Sequence, residues 1–437
     1  MIDHSPIRSF APAPSRWFCV AEEARRAGLA CVACYLLLVV PLNYGLTSVT
    51  IAGAPLHYAV LAIGMICSLP TLPRASVLFV CPAILLTGAL LRLLTSDVGF
   101  WAIRDASQVL DMQWLFVGWA LVRERIGQTY WRHWPWYLLL ACLYWNTYPL
   151  GRTLLHVGPR LGLHGNGLFG IYNSQWIAGL ILLSMILFSH RIRGHWAVII
   201  ALLATCFVVQ SMSRITLGGV VFGSCYLLLL GRIRLPHFLI GGLLMGTAIF
   251  IIQLLELEVQ TRYGNFDLDL LLNAALSVIG EGDNQGATAG VDQRLQWWLL
   301  GIQDTLDEPL GLWWGRGYGV VLTDHAVAVG RATRELHNSW ISSFCRLGLI
   351  GAIGLAVLYF GSIIRVLLRA RGDLFHFTIL FAMYVALVSF LQPGFENPQS
   401  SSIMWATFGI LHALVSEATR PTTESSQDDS RSTPRFR

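Results

Sequence analysis

The sequence contains no lysine, and charged residues of either sign are scarce. Only 13% of the 437 residues are charged, whereas 55% are hydrophobic and the mean hydropathy is +0.58. These values exclude an ordinary soluble domain. All 30 basic residues are arginine and, with 25 acidic residues, they leave a formal net charge of +5. We therefore predict an all-α polytopic membrane protein that binds membrane lipids and no nucleic acid.

The nine cysteines lie almost all inside apolar runs. That placement excludes a disulfide framework or a cysteine zinc site. Cys31 and Cys34 form a CxxC pattern on an apolar segment, where small-residue packing explains it better than redox chemistry.

The apolar runs predict about 12 transmembrane helices. A window of membrane length places them near 29–48, 56–70, 75–94, 104–122, 134–150, 167–189, 195–212, 215–231, 237–256, 342–366, 374–391 and 400–417. The fourth span is unusually polar, since it holds Asp105, Gln108 and Asp111. The domain plan is an N-terminal tail (1–28), helices 1–9 (29–256), an external unit (257–341), helices 10–12 (342–418) and a disordered tail (419–437).

Arginine placement predicts the orientation, because short cytoplasmic connections accumulate positive charge. With the N-terminus inside, the inner connections hold Arg74, Arg123, Arg125, Arg132, Arg191, Arg193, Arg232, Arg234, Arg365, Arg369 and Arg371. Both termini then face the cytoplasm, and we interpret the N-terminal stretch as an uncleaved cytoplasmic tail. The long segment between helices 9 and 10 lies outside the cytoplasm.

Several external arginines are not explained by this rule and indicate an anion. Arg152 and Arg160 share one short connection that contains no acidic residue, and Arg214 follows a polar stretch between two apolar runs. Arg294 and Arg334 lie in the external unit. Snorkelling to lipid phosphates explains any single arginine well. For the group we favour a phosphate site, because a guanidinium fork binds phosphate oxygens in pairs.

The external unit is predicted to contain a helix from Val291 to Leu306, with Asp292 as its cap and Pro309 as its stop. Trp297 and Trp298 on this helix, with Trp313 and Trp314 after it, fit either an interfacial belt or a platform for stacking sugars.

The unit ends at His337 and Asn338, immediately before the apolar run of the tenth span. A titratable imidazole beside a carboxamide is costly at a membrane boundary, which makes this pair a functional candidate.

Several short motifs occur in a recognisable order. Arg294 with Trp297 and Trp298 is followed by the stretch Gly315-Arg316-Gly317-Tyr318-Gly319, by His337-Asn338 and by Gly348-Leu349-Ile350-Gly351. Upstream stand Ser213-Arg214 and Asn173-Ser174-Gln175-Trp176. From about Gly165 to Phe360, this order resembles the superfamily of O-antigen ligases and O-antigen polymerases.

The resemblance implies a GT-C-like glycosyltransferase of the bacterial inner membrane with its active site facing the periplasm. The implied donor is an O-antigen on undecaprenyl diphosphate, and a ligase transfers it to the lipid A core. His337 is then the expected base and Arg214 the expected catalytic cation. Arg152, Arg160, Arg294, Asn173, Trp176, Asn338 and Arg334 are expected to bind the diphosphate or sugars. We expect an inverting reaction that uses no metal and no cofactor.

Other hypotheses remain open. Asp267 and Asp269 have the DxD spacing of a metal site in nucleotide-sugar transferases, but solvated carboxylates explain them as well. His156, His164 and His325 show no ligand spacing with His337. The functional alternatives are an O-antigen polymerase, a protein O-oligosaccharyltransferase and a lipid or solute transporter. A transporter should show related halves with broken helices, and no internal repeat is evident.

Overall fold

The structure of the chain, a computed structural model, consists mainly of apolar helices joined by turns. It describes residues 16–42, 44–47, 49–51, 54–72, 77–94, 102, 105–126, 133–154, 175–192, 194–211, 213–233, 236, 247, 254, 260–261, 264–265, 285–322 and 336–418. Helices suit the apolar runs because a bilayer offers the backbone N–H and C=O groups no partner except one another.

The first half of the chain forms one long series of helices. These are α1 (Arg16–Leu42), α2 (Tyr44–Thr47), α3 (Leu56–Ser68), α4 (Val77–Leu94), α5 (Ser107–Asp111), α6 (Trp114–Arg123), α7 (Trp134–Leu154), α8 (Gln175–Leu187), α9 (Gly194–Ser211) and α10 (Arg214–Leu229). Single 3₁₀ turns, Leu69–Thr71 and Ser189–Arg191, follow α3 and α8. Between α2 and α3, strands β1 (Thr50–Ile51) and β2 (Ala54–Pro55) pair antiparallel, with Thr50 opposite Pro55.

The second half places an external helix before the last long helices. A small antiparallel pair, β3 (Gln260–Thr261) and β4 (Gly264–Asn265), precedes them. The helices are α11 (Gln285–Asp307), α12 (Gly311–Trp314), α13 (Ser339–Leu367), α14 (Asp373–Leu391) and α15 (Pro398–Ala418).

An all-helical membrane protein is confirmed, whereas the number of spans is not. Within the described residues, three helices have the length and composition to cross a bilayer: Cys19–Leu42, Ser339–Leu367 and Asp373–Leu391. Shorter apolar helices cover Leu56–Thr71, Val80–Leu94, Gln175–Leu187, Gly194–Val209 and Ile215–Leu229. The ninth predicted span, 237–256, lies almost wholly outside the described residues. Twelve spans therefore remain a prediction.

Some helix boundaries differ from the predicted ones. α1 begins at Arg16, so residues 16–28 of the predicted tail are its first turns. Their charges are paired, since Arg25 lies 2.6 Å from Glu22 and 2.8 Å from Glu124. The polar fourth span is divided into α5 and α6.

The predicted start of the external helix is wrong. α11 begins at Gln285, and Asp292 lies inside the helix instead of capping it. Its first turns contain Gly286 and Gly290, so local helix propensity does not explain this early start. The helix ends at Asp307, two residues before Pro309, as the proline predicted.

The closest helix pair in the core is α6 with α15. A Cβ on Gly118 of α6 would overlap the backbone of Ala406, and a Cβ on Gly409 of α15 would overlap the backbone carbonyl of Leu115. Small residues permit this approach, which maximises van der Waals contact where no hydrophobic force drives helices together. Trp114 and Trp405 are fully buried around this contact.

Charges collect at the C-terminal end of α13. Asp373, six residues after the end of that helix, lies 2.9 Å from Arg191, 3.0 Å from Arg232 and 3.2 Å from His190. Three connections predicted to face the cytoplasm therefore meet at one carboxylate. The candidate functional residues lie at the other end of α13.

Candidate functional site

His337 lies immediately before α13 in an uncommon backbone conformation. Its φ of 52° is in the left-handed region, which few non-glycine residues adopt. The half-buried ring stacks on Trp297 of α11, with the ring centroids 6.1 Å apart and an interplanar angle of 24°. Such conformations persist only where the surroundings enforce them, and they cluster at active sites. Here α11 contributes one enforcing contact.

The residue before His337 is also held by α11 and α13. Trp298 donates its indole N–H to the carbonyl of Leu336 at 2.6 Å. The Leu336 amide in turn donates to Ser342 Oγ at 3.4 Å, and the Leu336 side chain is fully buried. Trp297 and Trp298 therefore position the candidate base, a structural role that neither the belt nor the sugar-stacking hypothesis anticipated.

Asn338 is the N-cap of α13. Its side-chain oxygen accepts hydrogen bonds from the amides of Trp340 at 3.0 Å and Ile341 at 3.1 Å. These amides have no partner inside the helix, so an asparagine cap stabilises its first turn. The cap accounts for the burial of Asn338 and leaves its predicted role in substrate binding as a prediction.

Arg294 and Ser339 converge on the turn that ends α14. Arg294 donates from Nη1 to the carbonyl of Leu391 at 3.4 Å, and Ser339 donates from Oγ to the carbonyl of Gln392 at 3.4 Å. The structure thus brings Arg294 of α11 to the same end of α13 as His337. The predicted role of Arg294 in binding the diphosphate or sugars stays a prediction.

The two glycine motifs pack backbone against backbone. Gly348 interrupts α13 with φ 66° and ψ −167°, and a Cβ there would overlap the backbone of Trp313 and Trp314. A Cβ on Gly315 would lie 2.6 Å from the Gly348 amide nitrogen. The amides of Arg316 and Gly317 donate to the carbonyls of Cys345 and Arg346, at 2.7 and 3.0 Å. The loop therefore satisfies carbonyl groups that the helix break exposes.

A buried ion pair joins this loop to the polar fourth span. Arg346 of α13 is 1% exposed, and its Nη1 donates to Asp105 Oδ2 at 2.6 Å. The same carboxylate oxygen accepts from the Gly319 amide at 3.0 Å. Arg92, in the last turn of α4, donates to the carbonyl of Gly315 at 2.7 Å. Arg346 and Arg92 thus serve the architecture of this loop.

Tyr318 lies in the same loop and is almost fully buried. Its hydroxyl has no hydrogen-bond partner among the described residues. Burial raises its pKa, an effect that the neighbouring Asp105 reinforces while Arg346 and Arg92 oppose it. The phenol therefore stays neutral and serves chiefly as an apolar filler of the loop.

Gln108 is a site residue that the sequence analysis did not select. Its fully buried side-chain amide donates to Ser343 Oγ and, at 3.5 Å, to the carbonyl of Ser339. It thus connects the polar fourth span to the first turn of α13. Asp105, Gln108 and Asp111 are spaced by three residues, which places them on one helical face. That regular spacing was the available signal.

Asp111 belongs to a second buried network on the same face. Its Oδ1 lies 2.9 Å from His57 Nε2, and His57 Nδ1 lies 3.0 Å from the Tyr35 hydroxyl. Ser401 of α15 donates to the other Asp111 oxygen. All of these groups are buried, and the network joins α1, α3, α5 and α15.

The structure describes only some of the remaining predicted site residues, and some of these only by their backbone. Trp176, on α8, is 2% exposed, and its indole N–H has no partner in the described part of the chain. Arg214 is the first residue of α10, and Arg152 lies in the last turn of α7. The side chains of both arginines, and the whole of Arg160, Asn173 and Arg334, lie outside the described residues.

Among the described residues there is no group of three His, Cys, Asp or Glu side chains that could hold a metal ion. Asp267 and Asp269 lie outside that part of the chain, so the DxD hypothesis is not tested.

A protein-family match covers most of the motifs described above, and the motif Asn173-Ser174-Gln175-Trp176 precedes it. The O-antigen ligase family matches residues 199–356, which include α10 to α12 and the first part of α13. Among curated proteins, none matches the chain. The family match indicates a membrane enzyme of glycosyltransferase type that handles polysaccharide and lipid-linked substrates. It supports assignment of this chain to the O-antigen ligase and polymerase superfamily.

Proposed function

We propose that the protein is an O-antigen ligase of the bacterial inner membrane. It transfers O-antigen polysaccharide from undecaprenyl diphosphate to the lipid A core oligosaccharide on the periplasmic side. The observation that carries the proposal is the position of His337. Its titratable ring stacks on Trp297, its backbone is left-handed, and Asn338 directly after it caps α13. The match over residues 199–356 supports the superfamily, within which a ligase and a polymerase differ in their acceptor.

His337 is proposed to act as the general base. A hydroxyl oxygen of the acceptor sugar attacks the anomeric carbon of the donor, and its proton passes to an imidazole nitrogen. The bond between that carbon and the diphosphate oxygen breaks, and undecaprenyl diphosphate leaves with the electron pair. Direct displacement inverts the anomeric configuration. A histidine suits this step because its ordinary pKa lies near neutral pH.

Arginines are proposed to stabilise the charge that develops on the departing diphosphate. Arg294 is favoured by its position at the His337 end of α13. Arg214 is favoured by its place at the first residue of α10, where the partial positive charge of the helix terminus adds to its own. Arg152, Arg160 and Arg334 are proposed as further phosphate ligands. Asn173, Trp176 and Asn338 are proposed to contact the sugars.

The decisive experiment is complementation of a strain that lacks its O-antigen ligase. We expect the wild-type gene to restore the O-antigen ladder on lipopolysaccharide. His337→Ala should lower transfer by roughly 100-fold or more. The matched control is His133→Ala, because His133 is an exposed histidine on a predicted inner connection and should be dispensable. Normal transfer by a well-expressed His337→Ala protein would refute the proposed base. Failure of the wild-type protein to restore the ladder on lipopolysaccharide, together with restored chain extension in a strain that lacks its O-antigen polymerase, would identify a polymerase instead.

A lysine substitution separates phosphate binding by Arg214 from membrane anchoring. Arg214→Lys keeps the charge but loses the paired hydrogen bonds of a guanidinium, so the initial rate should fall at every donor concentration. A helix-end anchor would tolerate lysine, because lysine snorkels equally well. Wild-type rates in this variant would indicate that the other arginines bind the diphosphate.

The proposed chemistry uses no divalent metal. Purified protein should therefore keep its rate in excess chelator. Loss of turnover that magnesium or manganese restores would favour the Asp267 and Asp269 hypothesis.

A further inference from the structure

The exposure of α13 changes abruptly at Gly348. Every residue from Ser339 to Leu347 is buried or half-buried. After the break, large apolar side chains are exposed at almost every turn, at Ile350, Ile353, Val357, Phe360, Ile364 and Leu368. In a membrane protein, such a stripe is the surface that contacts lipid. The lipid-facing part of α13 therefore begins just after Gly348, and not at the start of the helix.

The length of α13 is consistent with this boundary. From Leu349 to its end at Leu367, the helix has the rise of about 28 Å expected at 1.5 Å per residue. That distance is close to the hydrocarbon thickness of a bilayer, roughly 30 Å. The turns before Gly348 would exceed that thickness if they were also in the bilayer.

The turn that packs on Gly348 has the composition of a membrane interface. Trp313 and Trp314 are 50% and 51% exposed, although their backbone packs against Gly348. Arg92 reaches the same turn from the last turn of α4. Tryptophan and arginine concentrate at the level of the lipid headgroups.

The external helix α11 also carries exposed apolar side chains. Its faces are distinct: Gly301 and Thr305 are buried against the protein, whereas Gln296, Gln303 and Asp307 are exposed and polar. Between these faces runs an exposed leucine stripe of Leu295 (46%), Leu299 (69%) and Leu306 (51%). A helix with one protein face, one polar face and one exposed apolar stripe is typical of a helix that lies in a membrane interface.

We propose that the outer boundary of the bilayer hydrocarbon lies at the level of Gly348, and that the leucine stripe of α11 and the Trp313–Trp314 turn rest on the outer leaflet. The part of α13 before Gly348 then crosses the headgroup region, which is roughly 5–8 Å thick in one leaflet, and Ser339 lies about 14 Å above the hydrocarbon. The placement rests on the membrane character of the protein. Its consequence, that His337 lies just outside the headgroups, where the sugar joined to a lipid diphosphate extends, rests on the proposed function.

Fluorescence quenching in lipid nanodiscs tests the placement without measuring activity. The full-length protein, with its reactive native cysteines replaced, carries one polarity-sensitive fluorophore at Leu299→Cys. Asp307→Cys, two turns along the same helix and on its polar face, is the matched control, and Ile350→Cys is the reference for lipid contact. The quenchers are a lipid with a nitroxide near its headgroup and aqueous iodide.

We expect the Leu299→Cys probe to emit at shorter wavelength than the Asp307→Cys probe. The lipid nitroxide should quench it several-fold more strongly, and iodide should quench it less. Equal iodide quenching at both positions would show that the stripe faces water. Protection of the Leu299→Cys probe from both quenchers would show that protein covers it. Either result would overturn the proposal and leave the proposed enzymatic function untouched.

Discussion

Replacing Gly348 with alanine should separate the external loop from α13. The residue has φ 66° and ψ −167°, a conformation that is essentially restricted to glycine and that costs other residues about 1–3 kcal/mol. The new Cβ would also overlap the backbone of Trp313 and Trp314. Relief of that overlap requires the loop to move away from the helix break.

Movement of the loop would break two backbone hydrogen bonds. They run from the amides of Arg316 and Gly317 to Cys345 and Arg346, at 2.7 and 3.0 Å. Each contributes about 0.5–1.5 kcal/mol net. Strain and lost hydrogen bonds together predict that the free energy of unfolding falls by roughly 2–6 kcal/mol.

Gly361→Ala is the matched control, because Gly361 lies in the same helix with no atom near the position of a Cβ. Alanine there should raise the free energy of unfolding by about 0.5–1 kcal/mol. The assay is unfolding of both variants and the wild type in mixed micelles, with the apparent melting temperature as a second measure. Equal stability of Gly348→Ala and Gly361→Ala would refute the backbone packing described for the two glycine motifs.

Three further predictions concern buried polar groups near the same loop. Asp105→Leu should lower the free energy of unfolding by about 3–5 kcal/mol, because it removes the carboxylate that pairs with buried Arg346. The double variant Asp105→Leu with Arg346→Met should recover most of that loss. Additive losses in the double variant would contradict the ion pair. Tyr318→Phe should leave the melting temperature unchanged or higher, because the buried hydroxyl has no partner among the described residues; a clear loss would reveal one. Asn338→Ala should lower the free energy of unfolding by about 1 kcal/mol while Asn338→Ser restores it, because serine also caps helices. Loss of transfer in a stable Asn338→Ser protein would instead support substrate binding by the carboxamide.

The sequence by itself determined the class of the protein and the region of the candidate site. A backbone inside a bilayer must satisfy its own hydrogen bonds, and apolar runs of this length do so as helices. An all-helical membrane protein therefore follows from the composition and from the length of the apolar runs. The boundary between the external unit and the tenth span was also predictable. His337 and Asn338 lie immediately before α13, as the change from polar to apolar residues indicated. Local rules failed at Asp292, a typical capping residue that lies inside α11 although Gly286 and Gly290 precede it.

Only the tertiary structure decided what the unusual polar residues contact. A glycine-rich motif predicts a tight backbone approach but does not name the partner, and the fold pairs Gly315 with Gly348 across the α13 break. In the sequence, Asp105 is a polar residue within a predicted apolar span. The structure shows it paired with Arg346, far along the chain. Such pairings depend on helix contacts between distant segments, which one sequence does not encode in any local pattern. The end of the lipid-facing stripe at Gly348 is likewise a property of packing, because α11 and its loop cover only the first turns of α13.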